Sequence, residues 1–252
     1  VKRKVLATLA ALAMVFAITG TALASGPIGN CSSSGSNSYR SGEDTSIEHN
    51  DYAIFASIQV GASIQFSPCT INDNSGTNAT SAHIGISNPL GGAWVEFGVI
   101  ACNHTTNGAW PGFCDWSRHV FIERSGAFGL DYHMFDLGNI DTGAHDFKIL
   151  FDIPLHKWYF YLDGVAVPGQ SIDMGAGLDP STADLTTYWQ LETQDPGDGL
   201  GTQSVAANIG EQKFKNSTTW VYHDVGGSCD YADGQHHCVV NGSHAIYGYT
   251  VN

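Results

Sequence analysis

The 252-residue sequence predicts an all-β fold, an antiparallel β-sandwich of jelly-roll type stapled by disulfides, on three observations. Apolar and polar residues alternate with a period of two through most of the chain, as they do in strands with one buried face. Gly, Pro, Asn or Asp punctuate nearly every gap between those stretches, and glycine alone numbers 30. No stretch of ten residues repeats apolar side chains at helical spacing, so a βαβ sheet has no crossover helices to draw on.

Taken from the start, Lys2, Arg3 and Lys4 form a basic region followed by VLATLAALAMVFAIT from Val5 to Thr19. Ala22-Leu23-Ala24 then resembles a small-x-small cleavage site, and residues 1–24 read as a Sec-type signal peptide. An uncleaved anchor is the alternative, since the apolar run approaches spanning length. No later stretch is apolar enough to cross a bilayer. Val1 in the place of methionine reads as a translated alternative start codon. The expected product is therefore secreted, extracellular and bacterial. Cys31 is a poor lipidation site because Asn30 occupies the small-residue position.

Residues 25–49 read as a flexible Gly/Ser-rich lead, and residues 50–252 as a single sandwich domain. Within it, Ala56 to Phe66 alternates cleanly, and further strands are expected over 82–87, 93–101, 117–124, 131–137, 145–153, 157–163, 186–193, 215–224 and 246–251. Asp163-Gly164 marks a tight turn or hairpin. Ser204 to Gln212 is the one candidate for a short helix, and Gly210 counts against it.

Removing the leader leaves seven Lys and Arg against 24 Asp and Glu, a formal charge of −17. That excess disfavours nucleic acid or an anionic membrane as partner, because phosphate binding needs concentrated basic side chains. It is compatible with work in acid, where protonation relieves self-repulsion. All six cysteines, Cys31, Cys69, Cys102, Cys114, Cys229 and Cys238, follow the leader. Short loops favour Cys102 with Cys114 and Cys229 with Cys238, leaving Cys31 with Cys69, among fifteen formal pairings. No CxxC spacing points to zinc. His223-Asp224 and His236-His237 are better read as surface or hydrogen-bonded groups, and the acidic 195–199 turn lacks calcium-loop spacing. Phosphate loops and GxSxG elbows are missing. No metal or cofactor is expected.

Strand parity supplies the candidate site. Along 93–101, Val95, Phe97 and Val99 share the core face, while Trp94, Glu96, Gly98 and Ile100 share the other. Along 186–193, Trp189 and Leu191 oppose Tyr188, Gln190 and Glu192. Along 157–163, Trp158, Phe160 and Leu162 face in, and Lys157, Tyr159, Tyr161 and Asp163 face out. Three strands thus present aromatics and carboxylates outward, with Gly98 leaving room beside Glu96. Two carboxylates on neighbouring strands of one groove would titrate together and supply an acid and a base for hydrolysis.

The order of motifs resembles the neprosin-like domain, a set of secreted glutamic peptidases with a β-sandwich fold. Tyr52-Ala53, Gly61-Ala62-Ser63-Ile64, Ala82-His83-Ile84, Glu96-Phe97-Gly98, the Cys102–Cys114 segment with Pro111-Gly112-Phe113, Lys157-Trp158-Tyr159-Phe160 and Glu192 in Tyr-Trp-Gln-Leu-Glu carry the likeness. Val99 stands where the family has tryptophan, Cys114 follows the Pro-Gly-Phe triplet instead of preceding it, and the Gly-Gly pair usual before the second glutamate is missing at Glu192. The resemblance implies an acid-range endopeptidase acting on polypeptides without cofactor. Glu96 and Glu192 would be catalytic. Trp94, Tyr159, Tyr161, Tyr188 and Gln190 would form the substrate wall, with Gln190, Tyr159 or Tyr161 at the oxyanion.

The alternative is a carbohydrate-binding or carbohydrate-cleaving lectin-like sandwich acting on polysaccharide. Aromatics on one sheet face stack on sugar rings and paired carboxylates serve glycosidases. Tyr159-Phe160-Tyr161-Leu162-Asp163-Gly164 is reminiscent of lectin-like strands. A third reading is a surface protein with no reaction.

Overall fold

The computed structural model of the chain describes residues 39–44, 51–60, 66–67, 77–104, 114–126, 132–194, 197–202, 205–216, 219–223, 236–242 and 244–250. Among the described residues sixteen strands follow one another in chain order. The first eight are Tyr39–Asp44 (β1), Asp51–Gln59 (β2), Phe66–Ser67 (β3), Thr77–Ser87 (β4), Trp94–His104 (β5), Asp115–Ser125 (β6), His133–Asn139 (β7) and Ala144–Asp152 (β8). The others are Lys157–Leu162 (β9), Val165–Ile172 (β10), Thr186–Thr193 (β11), Gly199–Thr202 (β12), Val205–Asn216 (β13), Thr219–Tyr222 (β14), His236–Val240 (β15) and Ile246–Thr250 (β16). Among the described residues a 3₁₀ turn spans Gly175–Leu178.

The strands make two antiparallel sheets. One has six strands in the order β1-β11-β4-β5-β6-β7. The other has ten, running β10-β9-β8-β2-β13-β12-β3, with β14 and β16 also on β13 and β15 on β16. The two sheets face each other as the alternation requires. Val95, Phe97, Val99, Trp158, Phe160, Trp189 and Leu191 are all buried in one core. Phe97 of the first sheet meets Phe147 and Phe160 of the second, edge to face, at 4.9 and 5.5 Å. Trp189 Nε1 crosses between the sheets to donate to the Phe55 carbonyl at 3.0 Å, and Trp158 Nε1 donates to Leu178 at 2.8 Å. Both indoles are thus buried without an orphaned N–H.

The expected sandwich is present, with local differences. Part of the segment read as a lead, Tyr39–Asp44, pairs with β11 from Asp44↔Tyr188 to Tyr39↔Thr193. The stretch considered for a helix lies in β13, which carries a bulge between Gly210 and Lys213 where Glu211 takes φ 54°. The strand expected over 215–224 is two: β13 ends at Asn216 and β14 returns against it from Thr219. Asp163-Gly164 forms the expected hairpin turn. Both residues have positive φ, 51° and 78°, and Val165 pairs with Leu162. Those are the angles a two-residue turn needs to match strand twist.

Cys102 and Cys114 form a disulfide that joins the end of β5 to the start of β6. Cys238 is also disulfide-bonded. Cys31, Cys69 and Cys229 lie outside the described residues, as does Ile64 of the 56–66 stretch.

Candidate active site

The outer face of the six-stranded sheet is ruled into rows by register. Tyr188, Gly85, Glu96, Glu123 and Met134 lie side by side across β11, β4, β5, β6 and β7. The next row on the same face is Gln190, His83, Gly98, Phe121 and Asp136. The one after is Glu192, Ser81, Ile100, His119 and Asn139. Between them lies a pocket of about 110 Å³, walled by Trp94, Glu96, Glu123 and Glu192, with Ile100 and Phe121 as its floor.

Glu96 and Glu123 are directly opposed, so their Cβ atoms lie about 5 Å apart. Glu96 is 6% exposed and accepts a hydrogen bond from Tyr188 Oη at 2.7 Å. The fully buried His83 places Nε2 3.4 Å from the same carboxylate oxygen and Nδ1 3.1 Å from Ser81 Oγ. Tyr188 reaches Glu96 by lying over Gly85. A Cβ at that position would sit 2.1 Å from its ring. Glu123 accepts from the Tyr132 hydroxyl. Tyr132 meets Trp94 edge to face at 6.2 Å, making one aromatic margin beside the pair.

These surroundings act on the titration of Glu123. Burial pushes the Glu123 carboxyl up to about 7, and the charges of Glu96 and Glu192 push the same way against the Tyr132 hydrogen bond and His83. Glu123 therefore keeps its proton to a higher pH than an ordinary glutamate does. Burial and the Glu123 charge raise the Tyr132 phenol far above its ordinary range, so it remains a donor.

The expected site residues are redistributed. Trp94, Glu96 and Glu192 do line one pocket. Glu192, however, stands four residues along and two strands across from Glu96, about 13 Å by about 10 Å between backbone positions. The acid facing Glu96 is Glu123, which the sequence reading passed over. Parity along 117–124 would have placed it outward, because Val120 and Ile122 are core. Tyr188 and Gln190 are buried supports beneath the groove. Gln190 Nε2 donates to Glu192 Oε2 at 3.4 Å. Tyr159 and Tyr161 do not belong here: they stand on β9, on the outer face of the other sheet, because Trp158 and Phe160 of that strand fill the core. Gly98 does not open space beside Glu96 either. Its missing Cβ lets β4 approach, since one would lie 2.2 Å from the Ala82 carbonyl oxygen.

No family model matches the chain, and no curated protein matches it. Solved structures similar to it include a glycoside hydrolase family 16 endo-glucanase from Bacteroides ovatus, at 10% identity and TM-score 0.36, over 61% of this chain and 58% of that one. The laminarinase catalytic domain from Thermotoga maritima matches at 10% identity and TM-score 0.35, over 85% and 78%. The CBM40 of Ruminococcus gnavus IT-sialidase, bound to sialyllactose, matches at 10% and 0.32, over 71% and 97%. The chain thus spans less than two thirds of the endo-glucanase. At these identities and TM-scores the likeness carries no activity or substrate over to this chain. The expectation of a glutamic endopeptidase with a Glu96/Glu192 pair is corrected. The carboxylate opposed to Glu96 is Glu123, and Glu192 stands four residues along and two strands across.

Proposed function

We propose that the chain is an exported glycoside hydrolase acting on polysaccharide, with Glu123 as general acid and Glu96 as its ionised partner. The observation that carries this reading is the register pairing of two glutamates in an aromatic-edged pocket, each held by its own tyrosine hydroxyl. Glutamates at directly opposed positions start about 5 Å apart at Cβ, close enough for their carboxyls to flank one glycosidic bond. Carboxyls held about as close as their Cβ atoms would suit the double-displacement route, which retains anomeric configuration.

In that route the Glu123 carboxyl protonates the glycosidic oxygen as the Glu96 carboxylate attacks the anomeric carbon. The C–O bond to the leaving sugar breaks and a glycosyl ester forms on Glu96. Water then attacks the anomeric carbon, giving its proton to Glu123 and freeing Glu96. The Tyr188 hydroxyl fixes one oxygen of Glu96 and leaves the other for the attack. Trp94 and Tyr132 offer ring faces and edges to sugars beside the bond.

The test is release of reducing sugar from a polysaccharide panel that starts with β-glucans and laminarin. Glu96→Gln and Glu123→Gln should each lower kcat by about 10²–10⁴. Wild-type activity should fall as pH rises through about 7, where Glu123 loses its proton. Product NMR should show retained configuration. Polysaccharide binding without turnover, or full activity in either variant, would overturn the catalytic roles.

A further inference from the structure

We propose that the outer face of the ten-stranded sheet binds an acidic polysaccharide, one bearing uronate or sulfate groups, on the opposite side of the sandwich from the carboxylate pair. The selection of a glycan over other polyanions rests on the carbohydrate reading above; the surface itself does not.

Beyond Lys2 and Lys4 the sequence has four lysines, at 148, 157, 213 and 215. All four stand at outward positions of this one sheet. Register places Tyr222, Lys213, Phe55, Lys148 and Tyr161 in a line across β14, β13, β2, β8 and β9. Two residues along, Trp220, Lys215, Ala53, Leu150 and Tyr159 make a second line over the same strands. Lysine and ring alternate in contact. Lys148 Nζ lies 4.1 Å over the Tyr161 ring, and Lys213 Nζ lies 4.5 Å over Tyr222 and 5.3 Å from Phe55. Trp220, 41% exposed, meets Phe55 edge to face at 6.4 Å. Acids sit at the margins: Asp146 and Asp152 on β8, Glu211 paired with Lys213 at 3.1 Å, and Asp163 held by His145 at 2.8 Å.

In the first line aromatic rings recur every second strand, about 10 Å apart, with an ammonium between them. An extended glycan presents apolar ring faces and charged substituents in just such alternation. Rings stack on the sugar faces and lysines meet the acids. The formal charge of −14 repels every polyanion at longer range, and duplex DNA, the more densely charged, more than a uronate polymer. A neutral glycan would leave the lysines without a role.

The test is affinity electrophoresis of the full chain carrying Glu123→Gln, which leaves any polymer intact. Gels contain polygalacturonate, laminarin as neutral control, or neither. Polygalacturonate should retard the protein at low salt. Retardation should weaken about tenfold in half-molar salt and in Lys148→Ala/Lys213→Ala, while the Lys→Arg pair restores it. Circular dichroism confirms that the variants fold. No retardation, equal retardation by laminarin, an unaffected Ala pair, or preferential displacement by duplex DNA would overturn the proposal. Retardation without any polysaccharide cleavage by wild type would uphold this surface and sink the carboxylate mechanism. Cleavage without retardation would do the reverse.

Discussion

Replacing Glu123 with glutamine should stabilise the protein in alkali and do almost nothing in acid. The Glu123 carboxyl titrates at about 7 in the fold, against 4.5 for an unperturbed glutamate. Between those values the folded state binds more protons than the unfolded state, so stability falls as pH rises and levels off above 7. At 1.36 kcal/mol per pH unit the whole fall is about 3 kcal/mol. Glutamine keeps the shape, still accepts from Tyr132, and carries no charge opposite Glu96. Urea unfolding of wild type and Glu123→Gln at pH 4 and pH 8 reads the difference directly, because the remaining acids are common to both proteins. The variant should gain about 3 kcal/mol at pH 8 and less than about 0.5 kcal/mol at pH 4. Equal gains at the two pH values, or a loss at pH 8, would show that Glu123 is not the burdened, proton-retaining member of the pair.

Gly85→Ala should push the Tyr188 ring off Glu96, since the new Cβ would lie 2.1 Å from it. The lost hydrogen bond and displaced ring should cost about 2–4 kcal/mol in chemical denaturation, with sugar release falling alongside. Replacing both Cys102 and Cys114 with alanine opens a bridge that spans 12 residues, and should cost about 3 kcal/mol by the chain-entropy relation. An unchanged unfolding midpoint in the Cys102→Ala/Cys114→Ala protein would contradict that account.

What could be read from the sequence was local. The inward faces of 93–101, 157–163 and 186–193 follow from alternation within each strand, and all three appear as expected. Asp163-Gly164 likewise announces its own turn. Strand β10 was missed because it is exposed along most of its length and so has no inner-outer contrast to display. The helix considered at Ser204 to Gln212 arose where the Gly210–Lys213 bulge breaks the alternation of β13. Sheet membership was out of reach too. Tyr159 and Tyr161 carry the right outward parity, but their strand belongs to the second sheet, and no local pattern distinguishes the two outer faces. Register was the costliest gap. Glu96 meets Glu123 only because β5 and β6 are paired in one particular alignment, with the Cys102–Cys114 bridge at its closed end.

That alignment is hard to explain by folding alone. Like charges directly opposed on paired strands oppose sheet formation. A lysine, threonine or glutamine at either position would have satisfied the same polar face. The surroundings instead sustain the conflict. Tyr188 is laid across a glycine so that its hydroxyl reaches Glu96, Tyr132 donates to Glu123, and a buried histidine stands behind the pair. Burial and the charge of Glu96 leave Glu123 inclined to keep a proton, against the pull of Tyr132 and His83. This is a poor arrangement for stability and a suitable one for passing a proton to a departing oxygen. The core beneath supplies the rigidity that the outer face gives up: Phe97, next to Glu96 in the chain, is locked between Phe147 and Phe160 of the facing sheet. A strand fixed so firmly on one side can carry an unfavourable pair on the other without shifting register.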